Sequence, residues 1–151
     1  MKLRYTLGLY LLMATVIPWP EHFAAGIGQP RFHALIYLFG HSGVIHYVVN
    51  GIGWLMLWKV VNLKRTLSAW LLSVLCALYL PTSEPVIGWS TVIYYYLGIC
   101  LASMSKENRI KILLLTSIGF FLPHVAAGFH AVMLTGGWIT RKIEKAWEKT
   151  Y

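Results

Sequence analysis

Residues 88–104 read GWSTVIYYYLGICLASM, an uncharged run opened by glycine, tryptophan and serine. In lipid such a run must be helical, because any other backbone leaves N–H and C=O groups unpaired. On a helix Ser90, Tyr94 and Gly98 stand at successive four-residue steps, so a hydroxyl, an aromatic ring and a glycine share one stripe. A glycine there lets a neighbouring helix approach closely. Tyr94 also belongs to Tyr94-Tyr95-Tyr96, where aromatic packing is the ordinary role.

Similar apolar runs lie near 5–17, 38–58, 66–80, 109–122 and 128–139, with 18–37 as a loop dipping into the membrane. The chain is 58% hydrophobic and 12% charged, against about half apolar and a quarter charged in soluble domains. The short alternating segments of a transmembrane β-barrel are not present in the sequence. With the N-terminus in the cytoplasm, Lys2 and Arg4, then Lys59, Lys64 and Arg65, then Lys106, Arg109 and Lys111, then Arg141, Lys142, Lys145 and Lys149 all fall inside. Only Arg31 falls outside, which is the positive-inside pattern of a six-span chain. One membrane face thus accounts for the net charge of +8, and nucleic acid is not an expected partner. The expectation is an all-α, polytopic membrane protein, a six-transmembrane-helix bundle forming a single domain over 1–151. Both termini are expected in the cytoplasm.

Lys2 and Arg4 before an apolar run also suit a signal peptide, but Ile17-Pro18-Trp19-Pro20 is a poor cleavage site. Cys76 and Cys100 sit inside predicted spans and read as small buried apolar residues. The tail from Thr140 to Tyr151, with lysines among Ile143 and Trp147, reads as an interfacial helix end.

Polar side chains inside spans are costly and mark function, which singles out His41, His46, Asn50, Ser90, Tyr94, His124 and His130. His46 and Asn50 lie four apart and share a helical face, whereas His41 points elsewhere if that helix is continuous. Taken singly, a membrane serine commonly bonds the carbonyl one turn back, and a lone His or Asn holds helices together. Together they form the inventory for nucleophilic attack with oxyanion stabilisation. The carboxylates on the outer side, Glu21 and Glu84, fall in loops, so no buried acid completes a triad.

The pattern His41-Ser-Gly-Val-Ile-His46-Tyr-Val-Val-Asn50 resembles the His-x4-His-x3-Asn signature of rhomboid proteases. Gly88-Trp89-Ser90, with Tyr94 and Gly98, looks like their nucleophile segment, and Ala127-Gly128-Phe129-His130 with Gly137 is similar to the start of their sixth helix. The resemblance spans roughly 32–138. It implies a rhomboid-like bundle of short bacterial type in the inner (plasma) membrane, with Ser90 as nucleophile and a sixth-helix histidine as general base. His46, Asn50 and the Ser90 N–H would form the oxyanion hole, Tyr94 would stack on the base, and His41 would hold the first loop through hydrogen bonds. The fifth helix would be a lateral gate. Substrates would be transmembrane protein segments, the surroundings the lipid bilayer, and no metal or other cofactor is implied.

The base is His130 or His124. His130 keeps Gly137 in register and leaves a loop before the sixth span. Thr91 stands where the family has glycine, and Met133 where it has a small residue. Alternatives are a catalytically inactive rhomboid-like protein that binds membrane helices, a metal or haem membrane protein built on the six histidines, and a small-solute transporter. Broken mid-bilayer helices and internal repeats would favour the transporter.

Overall fold

Gly43, at φ 157°, ends an irregular entry and opens α1, Val44–Met56. Asn62 starts α2, Leu63–Tyr79, by accepting the Arg65 backbone N–H on its side chain at 2.9 Å, an N-cap that satisfies one of the helix's orphan donors. Trp89 precedes α3, Ser90–Leu101. Arg109 of α4, Lys106–Ser117, donates to the Leu101 and Met104 carbonyls at 3.2 and 3.1 Å, closing the end of α3. The last helix, α5, is Ala127–Glu148. Before α1, the 3-10 turns Arg31–Leu35 and Tyr37–Phe39 carry the chain along α2. This computed structural model describes residues 5, 23–26, 28–81, 85–117 and 126–150.

The fold is all-helical among these residues, and α3 runs through its centre against α5. Gly98 of α3 and Gly137 of α5 make that approach possible. A Cβ on Gly98 would run into the Leu134 carbonyl, and one on Gly137 into the Tyr95 carbonyl. Around this contact Trp54, Trp89 and Tyr96 meet edge to face, with centroids 5.4 and 5.7 Å apart, and join α1 to α3. The Tyr96 hydroxyl donates to the Asn62 carbonyl at 3.0 Å and meets Thr66 Oγ1 at 2.7 Å, so α2 is fastened to the same helix.

The expected six-span bundle is not what forms, and with it the expected multi-pass membrane placement with cytoplasmic termini is corrected. No helix among the described residues is long and apolar enough to cross a membrane. A hydrocarbon core of about 30 Å needs about twenty apolar residues. The 13 residues of α1 and 12 of α3 reach roughly 18–20 Å at 1.5 Å per residue. The 17 residues of α2 hold Lys64 and Arg65 in their first turn, and α4 carries Lys106, Glu107, Arg109 and Lys111. Among the described residues only α5, with 22 residues, has the length, and its final turns hold Arg141, Lys142, Glu144, Lys145 and Glu148. Three of those charges, Arg141, Glu144 and Glu148, form a network instead of ending the helix. Glu144 takes Arg65 of α2 at 2.9 and 2.6 Å and Arg141 at 3.1 Å, and Arg141 also reaches Glu148 at 2.8 Å.

Candidate active site

Ser90 and His130 come from different helices and meet at one point. Ser90 is the first residue of α3, so its backbone N–H has no acceptor inside the helix. His130 lies in the first turn of α5. The Ser90 hydroxyl is 2.9 Å from His130 Nε2, the geometry for donating to that nitrogen. Tyr94, one turn along α3, lies flat on the imidazole with ring centroids 4.0 Å apart and planes at 4°. Burial, and next the nearby His46, push the His130 imidazole down to about 4. It is therefore neutral, and able to accept a proton, at ordinary pH.

Gly88, two residues before the serine, has φ 111°, which favours glycine, and its surroundings demand it as well. A Cβ there would lie 2.6 Å from His46 Cε1, 2.8 Å from His46 Nε2 and 3.5 Å from Asn50 Nδ2. His46 and Asn50, side by side on α1, thus press against the backbone that leads into Ser90. The Ser42 N–H and hydroxyl lie 3.3 and 2.9 Å from His46 Nδ1. A nitrogen that accepts there leaves the ring hydrogen on Nε2, facing the nucleophile segment. Asn50 is buried, and its Nδ2 finds no acceptor among the described residues. An unsatisfied buried donor is costly unless something arrives to use it.

His41 behaves differently from the expectation. It precedes α1, so helical phase does not separate it from His46. The two rings meet at 5.2 Å and 66°, and Tyr47 meets His41 at 5.2 Å and 89°. Both His41 ring nitrogens lack a partner among the described residues. The loop is held instead by His33, whose Nδ1 is 2.8 Å from the Ala24 carbonyl, a residue that no spacing singled out. Ala25 and Val86 add a two-way backbone bridge at 2.9 and 2.7 Å. Thr91 and Met133 are both fully buried.

An apolar-walled cavity of about 190 Å³ lies beside His130 and Tyr94 and is lined also by Leu113, Thr116 and Ser117 of α4. His124, Glu21, Glu84 and nearly all of the predicted first span lie outside the described residues. Among the described residues no group of three His, Cys, Asp or Glu side chains converges as metal ligands would. Cys76 and Cys100 are free thiols. No family model matches the chain, and no curated protein matches it.

Proposed function

We propose that this chain is a serine endopeptidase using the Ser–His dyad chemistry of rhomboid proteases on apolar segments of membrane-protein substrates. The observation that carries the reading is the 2.9 Å contact of Ser90 Oγ with His130 Nε2 under the flat ring of Tyr94. His130 Nε2 takes the hydroxyl proton as Ser90 attacks the peptide carbonyl. The oxyanion is met by the Ser90 N–H, His46 Nε2–H and one of the two unpaired hydrogens of Asn50 Nδ2. His130 then returns the proton to the leaving amine, and an acyl-serine remains. Water, deprotonated by the same imidazole, releases the acid and restores the hydroxyl.

The apolar substrate class rests on the outer face of α1. The helix that carries His46 and Asn50 exposes Ile45 at 82% and Met56 at 80%, with Val49 and Ile52 between them. An apolar stripe of that size, exposed on the helix whose inner side carries the polar donors, suits an apolar polypeptide. The test is cleavage of a reporter protein containing one apolar segment. The parent chain cuts it, and Ser90→Ala abolishes cutting while keeping the same helical content. Equal cutting by parent and Ser90→Ala sinks the proposal.

A further inference from the structure

Thr91 follows the nucleophile directly, and its side chain is turned away from the dyad into the core. Tyr37, Ser73 and Thr91 are each 0% exposed and come from the entry loop, α2 and α3. The Tyr37 and Ser73 hydroxyls are hydrogen-bonded, Ser73 Oγ lies 3.0 Å from Thr91 Oγ1, and the Tyr37 hydroxyl also donates to the Ser73 carbonyl at 3.3 Å. One donor order satisfies every hydroxyl hydrogen: Thr91 to Ser73 Oγ, Ser73 to the Tyr37 oxygen, and Tyr37 to the Ser73 carbonyl. The other end of Tyr37 is used too. Its backbone carbonyl accepts the Gly88 N–H at 3.0 Å.

Ser90 is therefore bracketed by two ties to one residue, Gly88 to the Tyr37 carbonyl on one side and Thr91 through Ser73 to the Tyr37 hydroxyl on the other. We infer that Tyr37, Ser73 and Thr91 form a positioning clamp that fixes the depth and orientation of the Ser90 hydroxyl relative to His130. The inference deepens the peptidase reading and rests on it. Buried polar chains are rigid when fully satisfied, and misplacing a reacting group by about 1 Å can cost about 10²-fold in rate. A glycine at position 91 could not supply the hydroxyl, so the clamp also gives the departure from the family pattern a use.

The test is the rate of covalent labelling of Ser90 in the full chain by a fluorophosphonate, resolved into maximal rate and half-saturating concentration. Thr91→Val keeps the volume and removes the hydroxyl; Tyr37→Phe breaks the clamp at its other end. Each is expected to lower the maximal rate about tenfold with little change in half-saturation, and Thr91→Ser, which restores the hydroxyl, is expected to stay within about twofold of the parent. Either removal variant labelling at the parent rate, or Thr91→Ser as slow as Thr91→Val, overturns the clamp. A parent chain whose Ser90 is not labelled overturns the peptidase reading itself, a different result from a labelled parent with indifferent variants.

Discussion

The Tyr94 ring covers one face of the His130 imidazole at 4.0 Å, almost parallel to it. The stack holds the imidazole so that Nε2 faces Ser90. Aromatic pairs of this kind contribute about 0.5–1.5 kcal/mol, so Tyr94→Ala should slow fluorophosphonate labelling roughly two- to twelvefold. Tyr94→Phe should stay near the parent, because stacking needs the ring and not the hydroxyl. Labelling of Tyr94→Ala at the parent rate would show that the stack orients nothing.

The approach of α3 and α5 is made at Gly98 and Gly137. Gly137→Ala places a methyl against the Tyr95 carbonyl, a backbone atom that cannot swing aside. Overpacking of this sort costs about 1–3 kcal/mol. Because the same two helices carry Ser90 and His130, the variant should lose both unfolding free energy in urea and labelling rate. A variant with the parent's urea midpoint would mean that the helices part without cost.

The imidazole of His130, held down to about 4 chiefly by burial and next by His46, sets the acid limb of activity. Only the neutral ring accepts the serine proton, so the labelling rate should be level from about pH 8 to pH 5 and half lost near pH 4. Stability follows the same sign. An unfolded histidine takes its proton near about pH 6.5, the folded one only near 4, so the unfolded chain is favoured as pH falls through that window. His41, also lowered to about 4 by burial and then by His46, adds to the loss. Labelling with its half-point near pH 6.5 would contradict the buried environment of the ring.

Glu144 offers a separation of stability from chemistry. It holds Arg65 through two hydrogen bonds and Arg141 through one, and it lies fourteen residues beyond His130, roughly 21 Å along α5. Glu144→Gln should cost about 1–2 kcal/mol of unfolding free energy and leave the labelling rate of the folded chain unchanged. An equal fall in both would tie the charged end of the bundle to the dyad.

Helical periodicity made part of the site legible. Ser90, Tyr94 and Gly98 at four-residue steps, and His130 with Gly137, needed only the 3.6-residue turn to be placed on facing stripes, and the structure brings them together. At His41 that arithmetic has no purchase, because the helix begins only at Val44 and the His41 ring, outside it, meets His46. Apolar composition predicts membrane spans, but it reports only what environment a side chain tolerates and not how long its helix is. Thus α1 and α3 come out too short to cross a membrane. The tail after residue 139 is read from sequence as a helix end, and α5 does continue to Glu148, accompanied by the ion pairs of Arg141 with Glu144 and Glu148. The Tyr37–Ser73–Thr91 clamp had no signal at all, since its members lie far apart in sequence and share no motif.

The central claim is that His130 activates Ser90, and the most direct measurement is fluorophosphonate labelling of the parent chain and of His130→Ala, with the modified residue located by peptide mass. Labelling at Ser90 in the parent and none in a folded His130→Ala is the expected result. A parent that stays unlabelled, or a His130→Ala chain labelled at Ser90 as fast as the parent, would contradict it.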